Sequence, residues 1–254
     1  MLKIVLTNNK GGVTKTTSTI NIASALTNEN KKVGVIDFDS QKNLSLNISH
    51  TGGSDLGTVL KNRSLSFADF AATQNPNLFV LPNKGDVSVQ LFNQFATDEQ
   101  PYLLFDCFEQ LPPSTFDYVL IDTPPNLELQ TVNALLTSDY VLIPATLETN
   151  SILGVQNTVS TINRIQTRLN PNLKILGVFI SKYDERLTST NQIMLDDLIQ
   201  TTGDKNLVFN SKIRTNSSFS KNQMDQQTTF EDKSNIKGSE DYTKLTIEII
   251  QKLK

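Results

Sequence analysis

Tryptophan is absent from the chain, and cysteine and histidine each occur once among its 254 residues. The single cysteine, Cys107, rules out an internal disulfide and any multi-cysteine zinc or iron–sulfur site built within one chain. A lone cysteine of this kind reads as a small buried apolar residue. Long hydrophobic runs are also missing. None approaches the ~20 residues that span a bilayer, and the apolar stretch at residues 4–6 is too short for a signal peptide. The cytoplasm is the expected location. Nor is there a basic excess. The formal net charge is −3, so no global field draws the protein onto nucleic acid or membrane, and any DNA contact must come from a local patch.

What the chain does have is alternation. Apolar runs at residues 4–6, 33–36, 79–81, 118–121, 140–143, 175–180 and 207–209 read as strands. Their near-continuous apolar character suits strands covered on both faces. Helical patterns fall between and after them, at residues 16–28, 54–61, 87–110, 127–137, 152–169, 188–202 and 239–253. In the last, Tyr242, Leu245, Ile249, Ile250 and Leu253 share a face expected to dock on the core. Such alternation predicts an α/β fold, a doubly wound, mostly parallel sheet flanked by helices. A single domain over residues 1–254 is expected, with ligands beyond the carboxyl ends of the strands.

The first strand runs into Asn8-Asn9-Lys10-Gly11-Gly12-Val13-Thr14-Lys15-Thr16-Thr17. A loop between strand and helix aims consecutive backbone N–H groups at a phosphate, and the helix N-terminus adds partial positive charge. Gly11 and Gly12 permit close approach. Lys15 is placed to reach the β- and γ-phosphates, the Thr16 hydroxyl to coordinate Mg²⁺, and Thr17 to bond the α-phosphate. The strict P-loop pattern G-x-x-x-x-G-K-[ST] nevertheless fails at Asn9 and Thr14. A β-branched residue at positive φ costs roughly 1–3 kcal/mol. The expectation for Thr14 is therefore negative φ, with its side chain housed and its N–H facing the phosphate.

Residues 10–17 resemble the deviant Walker A motif, K-G-G-V-G-K-T-T, of the ParA/MinD group of P-loop ATPases, matching at every position but Thr14. The resemblance implies that Lys10 reaches across an ATP-sandwiched homodimer to the partner's nucleotide, and that Val13 and its neighbours bind ATP or ADP. Asn9 is a position where this group often lacks glycine. The segment Asp37-Phe38-Asp39-Ser40-Gln41-Lys42-Asn43 resembles the group's D-x-D-P-Q-x-N. By that likeness Asp37 organises Mg²⁺ and its waters, while Asp39 positions the attacking water. Phosphoryl transfer needs such placement and charge neutralisation more than a strong base. A further apolar strand ends in Asp122-Thr123-Pro124-Pro125, a Walker B and switch II pattern in which Asp122 holds Mg²⁺ through water. Thr131-Val132-Asn133-Ala134-Leu135 and Val141-Leu142-Ile143-Pro144 extend the likeness. Tyr183-Asp184-Glu185-Arg186 resembles a family segment near the adenine and the dimer edge. Ile213 and Arg214 stand where the group often has I-P-R-N beside the adenine, here without the proline.

Within this group, one cysteine excludes nitrogenase iron-protein and C-x-x-C scaffold relatives. The final helix mixes Glu240, Asp241 and Glu248 with Lys244, Lys252 and Lys254, unlike a basic membrane anchor, and no membrane partner is expected. With the first strand starting near residue 2, no N-terminal helix-turn-helix domain is expected. These features resemble the short, Soj-like ParA partition ATPases. What that implies is an Mg²⁺-dependent ATPase with slow basal turnover that dimerises on ATP. It coats DNA without sequence preference and is released by a ParB-type adaptor. The alternative is a MinD-like or other cargo-positioning ATPase. From the residues themselves, Lys205, Lys212, Arg214 and Lys221 lie in an acid-free stretch rich in Asn and Ser, which suits phosphate contacts. Arg164 and Arg168 on a helix would extend the patch.

Overall fold

The computed structural model describes every residue except Asp86 and Ser88, and of Val89 the backbone alone. Its strands are β1 (Leu2–Leu6), β2 (Val33–Asp37), β3 (His50–Thr51), β4 (Ala71–Thr73), β5 (Leu78–Leu81), β6 (Tyr118–Asp122), β7 (Tyr140–Ala145), β8 (Lys174–Tyr183) and β9 (Val208–Arg214). They form one sheet in the order β3-β4-β5-β2-β6-β1-β7-β8-β9. From β5 to β9 every neighbouring pair is parallel, and the β3–β4 and β4–β5 pairs at one edge are antiparallel. The seven strands expected from sequence are those of the parallel run.

Each central strand divides its side chains between two cores, because successive residues face opposite sides of the sheet. Ile4 and Leu6 of β1, with Val33 and Val35 of β2, join the core beneath the helices Lys15–Asn28 and Ile236–Lys252. Val5, Ile36, Val119 and Ile121 point the other way, into the core that Leu129–Thr137 and Thr149–Arg168 cover. This is why the strands read as continuous apolar runs. The final helix buries Tyr242, Leu245 and Ile249, so its apolar face is docked. Among the described residues no helix is long and apolar enough to cross a membrane.

Two sequence expectations change. The single helix over residues 87–110 is instead the short helices Val89–Phe92 and Leu103–Glu109 with a 3-10 turn, Gln100–Tyr102, between them. Ser88 of that range lies outside the described residues. Pro101 has no N–H to donate and sits in the first turn of Gln100–Tyr102, where proline is tolerated, so a new turn starts there instead of one helix running through. The strand placed at residues 207–209 runs instead to Arg214, carrying Ile213 and Arg214 into the sheet.

Candidate functional site: a loop beside two buried carboxylates

Parallel register assembles the site. Leu6 of β1 pairs with Asp122 of β6, and Asp122 in turn pairs with Asp37 of β2. The two carboxylates therefore stand level with the point where β1 gives way to the glycine-rich loop. The helix Lys15–Asn28 starts directly after the loop, so its free N–H groups face the same space.

The loop is fixed from several sides. Asn8 Nδ2 donates to Pro144 O at 2.7 Å, while its Oδ1 accepts from Lys10 N at 2.9 Å. Asn9 N donates to Thr158 Oγ1 at 3.1 Å. Ser181 Oγ donates to Val13 O at 3.1 Å, and the Val13 side chain is buried. Gly12 takes φ +77°, a conformation glycine adopts without cost.

Thr14 corrects an expectation. Its φ is +66°, in the left-handed region, so the backbone strain is accepted rather than avoided. Thr14 is the residue preceding the helix, and its carbonyl accepts the Ser18 N–H at 2.8 Å. Its hydroxyl lies 3.2 Å from Ser18 Oγ.

Thr16 Oγ1 donates to Asp122 Oδ2 at 2.6 Å, and Thr19 Oγ1 to Asp122 Oδ1 at 3.3 Å. Asp37 Oδ2 accepts from Ser45 N at 2.8 Å and Ser45 Oγ at 2.7 Å. Burial pushes Asp37 up to about 6, with the Ser45 hydrogen bonds opposing the rise. Burial also raises Asp122, and the neighbouring Asp37 charge adds to the effect. Lys15 is 7% exposed; its Nζ donates to Asn8 O at 3.2 Å and Lys10 O at 3.3 Å. Desolvation lowers the Lys15 pKa, while Asp122 and Asp39 hold it up. Asp39, 5% exposed, accepts from Gln41 N at 2.9 Å.

Gly11, Gly12, Thr14, Lys15, Thr16 and Asp39 line a cavity of about 420 Å³. A second cavity, of about 480 Å³, shares Gly12, Thr14, Thr17 and Gln223 with the first and continues to Lys182, Arg214 and Phe219. The pair fits a charged chain joined to a flat ring. The donor set also fits magnesium. Among the described residues no group of three or more His, Cys, Asp or Glu side chains is arranged to hold a metal alone. Magnesium prefers one or two protein oxygens, with phosphate and water completing its octahedron. Thr16, Asp37 and Asp122 supply that minimum, and a cation there would neutralise two adjacent buried carboxylates.

Other residues fall differently from the sequence expectation. The Thr17 hydroxyl accepts from Gln223 Nε2 at 2.9 Å, so Gln223, which no motif announced, stands between the two cavities. Ile213 is 1% exposed and belongs to the core even as it edges the second cavity. Arg214 is engaged by Asp241, with Nη2 to Oδ1 at 2.7 Å and Nε to Oδ2 at 3.0 Å. It is therefore not a free cation for DNA. Lys212 Nζ lies 4.7 Å from the centre of the Tyr183 ring. Lys205 precedes β9, whereas Arg214 ends it. Seven residues of strand separate opposite ends of the sheet by roughly 20 Å, so the four basic residues do not form one patch. Lys221 is exposed on the helix Ser218–Met224, beside the second cavity. Arg164 and Arg168 line a separate groove with Gln156, Asn163 and Thr201. Lys10 is half-buried and makes no ion pair among the described residues.

A family model described as AAA domain matches residues 1–175. The chromosome partitioning protein ParA of Caulobacter vibrioides is 35% identical over 197 residues, covering 76% of this chain and 74% of that protein. The chromosome-partitioning ATPase Soj of Treponema pallidum is 34% identical over 216 residues, 84% of this chain and 83% of that one. Among solved structures, the cobyrinic acid a,c-diamide synthase of Mycobacterium smegmatis, with bound ADP and magnesium, superposes with a TM-score of 0.80. It shares 26% identity, over 98% of this chain and 94% of that one.

Proposed function

The chain belongs to the ParA/Soj family of P-loop ATPases, and from that premise we propose that it is a partition ATPase whose ATP-bound homodimer holds DNA without sequence preference. The observation that carries the reading is the level placement of Asp37 and Asp122 beside a loop whose buried Lys15 lies close enough to Asp39 and Asp122 to feel both charges. Phosphoryl transfer asks for that arrangement: fixed cations and donors on the phosphates, and a carboxylate for the water.

In this mechanism Lys15 exchanges the carbonyls of Asn8 and Lys10 for β- and γ-phosphate oxygens. Thr16 would supply a hydroxyl to a bound Mg²⁺, which Asp37 and Asp122 would hold through water. Bound magnesium supplies charge neutralisation on the phosphates. Asp39 orients and polarises the attacking water. Lys10, free of a partner carboxylate among the described residues, completes the neighbouring subunit's site, so that dimerisation and ATP depend on each other. Basal turnover is slow because the single chain lacks that last cation.

DNA contact is electrostatic. With Arg214 committed to Asp241, the contact rests on Lys212 and Lys221, at the nucleotide end of the sheet, with Lys205 peripheral. Two subunits add their contacts once ATP joins them. A DNA-bound adaptor of the ParB type completes hydrolysis and releases the protein, which is cytoplasmic and nucleoid-associated in its ATP state. Retention on random-sequence DNA tests this. It should require ATP and Mg²⁺ and fall steeply with salt, since each neutralised phosphate contributes to the salt slope. Equal retention with ADP and ATP would defeat the proposal.

A further inference from the structure

Thr14 interrupts the glycine pattern of its loop, and its hydroxyl belongs to a chain that leads out of the site. Thr14 Oγ1 lies 3.2 Å from Ser18 Oγ, and Ser18 Oγ lies 2.9 Å from Tyr242 OH on the final helix. Ser18 and Tyr242 are each 0% exposed. Burial drives the Tyr242 pKa upward, so the phenol keeps its proton.

The direction of the chain follows from the count of protons and acceptors. Among the described residues the Tyr242 hydroxyl has one hydrogen-bond partner, Ser18 Oγ. A buried O–H without an acceptor is costly, so Tyr242 donates to Ser18. Ser18 then turns its own proton to its other partner, Thr14 Oγ1. Thr14 receives that bond and keeps its O–H for something else. Among the described residues nothing else accepts it, and Thr14 lines both cavities. A hydroxyl that accepts one hydrogen bond becomes a better donor of the next.

We propose that the Thr14 hydroxyl is a phosphate-binding donor of this site, polarised through Ser18 by the Tyr242 phenol. The reading rests on the proposed nucleotide site and deepens it. A position where glycine would offer only a backbone N–H here contributes a side-chain donor as well. That donor offsets the strain of a β-branched residue at φ +66°. Thr14 touches the nucleotide, whereas Ser18 and Tyr242 are positioning residues that act through it.

The test is a double-mutant cycle on the full chain, read as the dissociation constants of Mg-ATP and Mg-ADP by calorimetry. Thr14→Val removes the hydroxyl and keeps the branching; it should weaken binding about tenfold, the value of a charge-assisted hydrogen bond. Thr14→Ser should bind within about twofold of the unaltered chain, since it keeps the donor. Tyr242→Phe should weaken binding about threefold when Thr14 is present. In the Thr14→Val background it should change nothing further. Thr14→Gly provides a second hydroxyl-free background that takes the left-handed conformation freely. Equal losses from Tyr242→Phe in all backgrounds would mean a packing role alone and would overturn the proposal. So would unaltered affinity in Thr14→Val. An unaltered chain that binds neither nucleotide overturns the proposed function together with this inference; binding without dependence on Thr14 overturns this inference alone.

Discussion

Gly154→Ala separates helix propensity from tertiary contact, because the two predict opposite signs. Gly154 lies inside the helix Thr149–Arg168, where alanine should stabilise by about 1 kcal/mol on propensity alone. An added Cβ, however, would sit 2.8 Å from Asn8 Oδ1 and 3.1 Å from Lys10 Cβ. Asn8 is not free to swing aside: its Nδ2 donates to Pro144 O at 2.7 Å and its Oδ1 accepts from Lys10 N at 2.9 Å. The carbonyl of Gly154 also accepts from Thr158 Oγ1 at 2.7 Å, and Thr158 holds Asn9 N. Overpacking of this kind costs about 1–3 kcal/mol. The net expectation is a loss of about 1 kcal/mol in urea unfolding. Nucleotide affinity should fall about tenfold, because the loop carrying Lys10 must shift to relieve the clash. A variant more stable than the parent with unaltered affinity would refute the claim that this helix sets the loop.

Further outcomes follow from the same geometry. Asp39→Ala should keep Mg-ATP binding and lose about 10²-fold or more in adaptor-stimulated turnover, measured as phosphate release; loss of binding instead would remove Asp39 from the water-positioning role. Arg214→Ala removes the cation beside Asp241, 4% exposed, and leaves it only the residue-214 backbone N–H, which should lower unfolding stability by about 2 kcal/mol. Selective loss of DNA retention with unaltered stability would reverse that assignment. The Cys107 thiol, buried and pushed up to about 12 by desolvation, should resist a disulfide reagent at pH 8 in the native chain and react once urea unfolds it. Prompt stoichiometric reaction in native buffer would contradict its place in the core.

The sequence carried the elements whose signals are local. The seven parallel strands are legible because burial on both faces makes them apolar throughout, and motif spacing marks Lys15 at the start of a helix and Asp37 and Asp122 at strand ends. Features that depend on distant partners were not. β3 and β4, two and three residues long, are too short to show alternation. Gly154 and Thr158 meet the loop across 149 residues of sequence, from Asn9 to Thr158. In sequence Arg214 reads as a free cation because Asp241, its partner, lies 27 residues further on. The basic run from Lys205 to Lys221 looked like one patch because sequence distance hides the length of β9. Thr14 departs from its sequence expectation for a different reason. Backbone strain argued for negative φ, and only the assembled loop shows that the left-handed turn prevails, with Ser18 and Tyr242 behind it.

The central claim is that this loop, threonine included, is a Mg-ATP site built on Lys15. Calorimetric titration of the chain with ATP and Mg²⁺, beside the Lys15→Ala variant, tests it most directly. The account predicts one nucleotide per chain for the parent and none for the variant. Absence of binding to the parent at millimolar ATP, or undiminished binding by Lys15→Ala, would contradict it.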